Sequence, residues 1–217
     1  MPLAIFDLDH TLINGDSDYS WGQFLVEREL VDRTEYEAKN EQFYQDYVNS
    51  TLDPMAYLEF AVGPLTQYSL DELADFHRDF MEAVIAPMWQ PKAEALLEKH
   101  RSAGDTLLVI TSTNRFIVEP ICHKLGITEI IAARPEMIDG SYTGKITGGH
   151  TFQHGKVEQL NRWLQEKDEN LEGAWFYSDS INDLPLMEVV DNPVAVDPDD
   201  KLRAEAKQRG WEIISLR

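Results

Sequence analysis

The chain has 217 residues, 43% of them hydrophobic and one of them a cysteine, a size that supports one sizeable core with a small inserted subdomain and excludes an internal disulfide. Its 39 acidic against 19 basic residues give a formal charge of −20, which repels nucleic acid and anionic membrane surfaces, so neither is expected as a partner. No stretch approaches the roughly 20 apolar residues that cross a bilayer, and the chain opens on a short apolar run without a leader pattern, so the expected location is cytoplasmic. The same charge repels phosphorylated metabolites at long range, and any phosphate site needs its own cation to reverse the local field.

Leu3-Ala4-Ile5-Phe6 reads as a strand that ends in Asp7-Leu8-Asp9-His10-Thr11. Side chains alternate across a strand, which puts Asp7 and Asp9 on one face at its tip. Carboxylates this close need a proton or a cation, and a hard divalent ion such as Mg²⁺ suits oxygen ligands. A helical pattern follows over Ser17 to Arg28, with Trp21, Phe24 and Leu25 on one side and Asp16 or Ser17 as the cap. Thr34 to Glu37 matches a capping box that opens a helix to about Ser50, and Ser69 to Glu72 opens another that carries Leu73, Phe76, Phe80 and Val84. Asp53-Pro54 and Gly63-Pro64 mark the gaps. No strand pattern occurs between about Asn14 and Met88, so residues 14–88 are expected to form a helical cap inserted into a core made of residues 1–13 and 89–217.

Beyond Pro91 the chain alternates helix and strand. A helix through Leu96 and Leu97 precedes the strand Thr106 to Ile110, and the next helix stops near Gly126. Cys122 falls among Ile121 and Leu125 and reads as core. Ile130 to Ala133 is a short strand, Ile138 to Tyr142 a hairpin turn, and a helix starts near Gly155. Strands at Ala174 to Tyr177, Pro193 to Val196 and Trp211 to Ile214, with helices around Leu184 to Val190 and after Asp199, complete the series. The alternation predicts an α/β fold with a Rossmann-like, mostly parallel sheet and helices on both faces.

Three further stretches belong with the opening acid pair. Thr111 and Ser112 place hydroxyl donors at a second strand end, where a helix start can hold phosphate oxygens. Lys156, behind Gly155, offers a cation, and Asp179 with Asp183 adds two acids after an apolar strand. The six histidines lack metal-ligand spacing, which disfavours zinc, and His10 is expected to point away from the acids that flank it.

Taken in order, these four strand-end motifs resemble those of the haloacid dehalogenase superfamily of phosphohydrolases, over the whole chain. D-x-D-x-T is met by Asp7, Asp9 and Thr11, the second motif by Thr111, the motif lysine by Lys156 and the fourth motif by Asp179 and Asp183. The helical insert resembles the cap of the branch that holds the phosphoserine phosphatases, and within it the chain is similar to bacterial proteins assigned to histidinol phosphate. The resemblance implies that Asp7 attacks phosphorus and forms an aspartyl-phosphate, that Asp9 serves as acid and base, and that Thr111, Ser112 and Lys156 hold the phosphoryl oxygens. It implies Mg²⁺ on the carboxylates of Asp7 and Asp179 and the backbone carbonyl of Asp9, with Thr11 and Asp183 in support. By position Asp16 matches the acid that meets the substrate's ammonium, pointing to a small amine-bearing phosphomonoester, histidinol phosphate first and phosphoserine second. Asp16 reads equally as the cap of the first inserted helix, and Asp18, Tyr19 and Trp21 are candidate pocket walls. No cap arginine is placed to hold a carboxylate, since Arg28, Arg33 and Arg78 sit on polar faces. Two other classes use similar residues. One is a receiver-like signalling domain phosphorylated on aspartate, whose phosphoacceptor stands in mid-chain and not at the first strand; the other is a binding protein without catalysis.

Overall fold

A computed structural model describes residues 2–48 and 51–217, so the expected helix end at Ser50 lies outside the described residues. Seven strands, β1 (Leu3–Phe6), β2 (Thr106–Asn114), β3 (Glu129–Ile138), β4 (Ser141–Thr147), β5 (Trp175–Ser178), β6 (Asn192–Val196) and β7 (Glu212–Ile214), form one sheet in the order β4-β3-β2-β1-β5-β6-β7. All neighbours run parallel except β3 and β4, which are joined through Asp139 and Gly140, both at positive φ (49° and 78°) as a tight hairpin turn requires. Strand β1 is central and wholly buried. Its side chains divide between two apolar clusters: Ala4 and Phe6 pack with Val109, Ile117 and Val118, whereas Leu3 and Ile5 pack with Leu108, Ile110 and Phe176. This two-sided burial is why the first strand is uniformly apolar.

Between β1 and α5 (Pro91–Ala103) the chain forms α1 (Ser17–Glu27), α2 (Arg33–Val48), α3 (Pro54–Val62) and α4 (Leu70–Phe80). Asp16 caps α1 by accepting from the Tyr19 amide at 2.8 Å, Asp53 caps α3, and Ser69 with Glu72 closes the expected capping box on α4. The start of α2 differs from expectation. Its cap is Asp32, whose Oδ1 accepts from the Glu35 amide at 2.9 Å, and the helix opens one residue before Thr34. The apolar side expected to run on to Val84 instead passes through a π-helical turn, Met81–Ile85, and a 3₁₀ turn, Ala86–Met88. The two connections of this helical segment lie side by side, with the Asn14 amide donating to the Met88 carbonyl at 2.8 Å and Ile13 bridged to Trp89. Trp21, Phe24, Leu25, Phe80 and Ile85 join the same apolar cluster as Phe6 and Val109, so α1 and α4 share their core with the sheet. Trp21, a candidate pocket wall from its sequence position, is 2% exposed and belongs to that core.

The remaining helices are α6 (Arg115–Lys124), α7 (His154–Lys167), α8 (Leu184–Met187) and α9 (Asp200–Arg209). The helix expected around Leu184 to Val190 ends at Met187, and a separate 3₁₀ turn over Ile181–Asp183 precedes it. The hairpin β3–β4 leans on the inserted helices: Tyr142 and Ile146 pack with Val62, Leu65 and Leu73, and Lys145 pairs with Glu59 at 3.1 Å.

His77 of α4 joins the two parts of the core. Its Nε2 lies 2.9 Å from the Ile117 carbonyl oxygen, and because a carbonyl only accepts, Nε2 carries the proton. Burial holds the His77 pKa below its ordinary value, only partly opposed by the bond to Ile117. The folded protein therefore keeps this ring neutral while the unfolded chain protonates it below about pH 6.5, so stability falls as pH drops through that value. We expect the urea midpoint of the wild type to fall between pH 7 and 5.5 by more than that of His77→Gln, which keeps a donor and cannot titrate; equal falls contradict this account.

Candidate active site

Strand β1 has β2 on one side and β5 on the other, so the loops after these strands diverge and leave a crevice at their carboxyl ends. Three of the four motif stretches end there, and the fourth arrives on α7. The Asp7 amide donates to the Tyr177 carbonyl at 2.9 Å, extending the β1–β5 pairing by one residue and holding Asp7 at the strand tip.

Lys156 is the hub. Only 2% of it is exposed, and its Nζ donates to Asp7 Oδ1 at 2.7 Å and to Asp183 Oδ2 at 2.8 Å. Burial by itself lowers a lysine pKa, but here Asp183 and Asp7 outweigh it and hold the Lys156 ammonium above its ordinary value. Ser178 Oγ also donates to Asp183 Oδ2 at 2.7 Å. Asp183 thus orients the lysine. Gly155 allows this approach, since a Cβ there would meet His150 Nδ1 at 2.5 Å and the His150 carbonyl oxygen at 2.7 Å.

Asp9 faces the same cavity with both carboxylate oxygens engaged: Oδ1 accepts from the Ser17 amide at 2.6 Å and Oδ2 from Thr113 Oγ1 at 2.8 Å. Asp179 Oδ1 accepts from Thr11 Oγ1 at 3.1 Å, and Gln90 donates to the Thr11 carbonyl at 3.0 Å. Burial pushes the carboxyl pKa of Asp7 up to about 7 against the pull of Lys156. Asp9 rises to about 7 through burial and then the charge of Asp16, and Asp179 to about 7 through burial and then the charge of Asp7.

Thr111 is buried at the end of β2, while Ser112 is exposed and donates through Oγ to the Thr151 carbonyl at 2.9 Å. Thr113, the next residue on the Thr111 face, was not among the expected site residues, yet it is the one that reaches Asp9. Period-two alternation from Thr111 is the signal that would have found it. The contributions of the Ser17 amide and of Ser178 leave no side-chain pattern in the sequence. His10, expected to face away, lines the cavity at φ 56° and lies close enough for its charge to lower the Asp179 pKa.

The cavity has a volume of about 1000 Å³ and runs from Asp7, Asp9, Lys156 and Asp179 to the inserted helices. There its wall is acidic and aromatic, with Asp16, Asp18, Glu37 and Glu41 beside Tyr19, Phe43, Tyr44 and Tyr57. Tyr57 donates its hydroxyl to Asp18 Oδ2. Burial pushes the Asp18 carboxyl up to about 7, with Asp16 adding and the Tyr57 bond opposing. Among the described lining residues Lys156 stands as a buried cation, no arginine appears, and Lys201 belongs to an adjoining pocket. Arg28, Arg33 and Arg78 are exposed and paired with Asp79, Glu37 and Asp75.

The donor set fits a small hard dication. Asp7, Asp9, Asp179 and Asp183 gather around the single ammonium of Lys156, leaving uncompensated negative charge in a buried place. Each Asp9 side-chain oxygen accepts one hydrogen bond, from the Ser17 amide or from Thr113 Oγ1, so an ion would take the Asp9 backbone carbonyl and leave the remaining lone pairs of the carboxylate for proton transfer. Among the described residues no three His, Cys, Asp or Glu side chains cage an ion by themselves, so an ion here would complete its shell with the carbonyl, water and substrate oxygens, as Mg²⁺ commonly does. No helix among the described residues is long and apolar enough to cross a membrane.

Comparison with known proteins agrees with this geometry. The chain is 50% identical over 219 residues to the histidinol-phosphatase of Neisseria meningitidis serogroup C (strain 8013), covering 99% of each. It superposes with a TM-score of 0.94 on the crystal structure of a protein with unknown function from Bordetella pertussis Tohama I, at 40% identity and covering 100% of this chain and 99% of that one. A phospho-aspartyl intermediate analogue of phosphoserine phosphatase shares the fold, with a TM-score of 0.68 at 20% identity over 100% of this chain and 93% of that one. The haloacid dehalogenase-like hydrolase profile matches residues 4–188, and the chain accordingly belongs to the haloacid dehalogenase-like hydrolase family.

Proposed function

We propose that this enzyme is a Mg²⁺-dependent phosphomonoesterase that works through an aspartyl-phosphate on Asp7 and acts on a small amine-bearing metabolite, histidinol phosphate first and phosphoserine second. The chain is a phosphoric monoester hydrolase of the haloacid dehalogenase type; membership of a hydrolase family removes the ground for a receiver. The observation that carries the mechanism is the Lys156 bridge to Asp7 at 2.7 Å, because it fixes one oxygen of a buried carboxylate beside the cation whose remaining N–H meets the phosphoryl group. Asp7 Oδ2, with no hydrogen bond among the described residues, is then the attacking atom, and attack in line expels the leaving alkoxide.

Asp9, held from two sides, protonates the leaving oxygen and afterwards takes a proton from the water that cleaves the acyl phosphate. A pKa near 7 suits a group that must give and accept a proton in turn. Lys156 and Thr111 hold the equatorial oxygens, where charge is spread in the transition state, and Ser112, whose hydroxyl proton goes to the Thr151 carbonyl, contributes through its backbone N–H. The Asp7 and Asp179 carboxylates and the Asp9 carbonyl would hold Mg²⁺, which would supply further charge neutralisation at those oxygens. Thr11 keeps Asp179 in place and Asp183 keeps Lys156 in place.

Residues 14–88 act in this reading as the cap that selects the leaving group, on a core of residues 1–13 and 89–217. The acidic wall without an arginine favours an amine and offers no partner to the carboxylate of phosphoserine. The 50% identical relative named for histidinol phosphate supports the same order of substrates. The second oxygen of Asp16 is left to meet the amine, since Oδ1 caps α1.

Asp7→Asn is expected to lower phosphate release from any monoester to background while the melting temperature stays near that of the wild type; appreciable turnover of an aryl phosphate by the purified variant refutes the nucleophile. Asp9→Asn is expected to lower kcat about 10²- to 10⁴-fold. Chelation with EDTA should stop the reaction and added Mg²⁺ restore it. Asp16→Ala is expected to raise KM for aminated substrates by about tenfold or more, the scale of a lost hydrogen bond to a charged group, with a smaller change for an aryl phosphate. Equal changes on both substrates mean that Asp16 only caps its helix.

A further inference from the structure

The inserted helices hold more acid and aromatic surface than one ammonium group needs. Asp18 gives Oδ2 to the Tyr57 hydroxyl, while its Oδ1 has no hydrogen-bond partner among the described residues and the side chain lines the cavity. Flat apolar faces stand beside it: Phe43 meets Tyr57 edge to face at 5.5 Å and 80°, and Tyr19 and Tyr44 line the same cavity. Asp9 accepts from the Ser17 amide at the start of α1, Asp16 caps that helix through the Tyr19 amide and Asp18 stands in its first turn, so the three acids are neighbours around one helix end and line one cavity.

We propose that Asp18 and Tyr57 form the subsite for the N–H of a planar heteroaromatic ring, the imidazole of the leaving group, while Asp16 serves the amine between that ring and the ester oxygen. The inference rests on the histidinol phosphate reading and deepens it. Along such a substrate the ester oxygen, the amine-bearing carbon and the ring follow in that order, matching Asp9, Asp16 and Asp18. The carboxylate accepts the ring N–H, the Tyr57 bond holds the carboxylate in one rotamer, and Phe43 and Tyr57 supply the faces a flat ring packs on. A ring without an N–H finds no donor to satisfy Asp18, so the pair discriminates by leaving a carboxylate unpaired in a half-buried place.

The test uses an aryl phosphate as reporter, so it does not depend on the physiological substrate. Inhibition by L-histidinol and by L-alaninol, the same amino alcohol without the ring, is measured on the wild type and on Asp18→Asn, Tyr57→Phe and Asp16→Ala. In the wild type histidinol should bind at least about tenfold more tightly than alaninol, the scale of one hydrogen bond to a charged group. Asp18→Asn should bring the two inhibition constants within about twofold of each other, Tyr57→Phe should narrow the ratio in the same direction, and Asp16→Ala should weaken both inhibitors and keep the ratio. Tyr57→Phe decides the matter if Asp18→Asn does not fold. A wild-type ratio near one, or a ratio that survives both Asp18→Asn and Tyr57→Phe, overturns the inference. Failure of the histidinol phosphate reading is separate and shows as wild-type enzyme that releases no more phosphate from histidinol phosphate than from phosphoserine.

Discussion

The buried ammonium of Lys156 between the carboxylates of Asp7 and Asp183 is the interaction on which the rest of the site depends. It joins residues 149 and 27 positions apart in the chain, at 2.7 and 2.8 Å, and thereby fastens the ends of β1 and β5 to the first turn of α7. Taking three charges out of water is costly, and one ammonium against two carboxylates leaves a net negative charge that the Ser178 hydroxyl, donating to Asp183, offsets only in part. Replacing Lys156 leaves two carboxylates buried without their cation, whereas replacing Asp7 leaves the Lys156–Asp183 pair in place. That cost is tolerated because the same arrangement presents a carboxylate fixed by one oxygen next to a fixed positive charge, which is what an in-line displacement at phosphorus requires.

The sheet order explains why these groups can meet at all. With β1 in the middle, the chain must leave it toward helices on either face, and the divergence opens the crevice that Asp7, Asp9, Thr111 and Asp179 line. The inserted helices then roof it. Their attachment is tighter than a loosely tethered lid, because Trp21, Phe24 and Phe80 pack into the core cluster of the sheet and the β3–β4 hairpin braces Val62 and Leu65. Asp9 is the point of contact between the two parts: Thr113 holds it from β2 and the Ser17 amide from the first turn of α1. A helix N-terminus favours the carboxylate form of Asp9, opposing the burial that favours the protonated one. The carboxylate of Asp9 is therefore set by the sheet and the inserted helices together.

Much of this was legible in the chain itself, for definite reasons. Short apolar runs that end in Asp7-x-Asp9, Thr111-Ser112 and Asp179 announce parallel strands with polar tips, and the Ser69–Glu72 box and Asp139-Gly140 turn carry local backbone requirements that few residues meet. Contacts between residues distant in sequence were less legible. Alternation along β2 puts Thr113 on the Thr111 face, but that its hydroxyl meets Asp9 while Ser112 takes the Thr151 carbonyl depends on β2 staying extended as far as Asn114. Thr34 and Glu37 satisfy the local capping pattern, yet Asp32 takes the role two residues earlier, where its carboxylate accepts from the Glu35 amide. The pairing of Asp18 with Tyr57 joins residues 39 positions apart on α1 and α3, a separation that no local pattern encodes.

The central claim is that Asp7 carries the phosphoryl group during turnover. Rapid denaturing quench of enzyme mixed with a slow aryl phosphate, followed by borohydride reduction and peptide mapping, tests it most directly, because reduction marks an acyl phosphate at the residue that bears it. The account predicts a single reduced site at position 7, with an amount that follows the time course of turnover. Full turnover with an unmarked Asp7, or with the mark on any other residue, contradicts it.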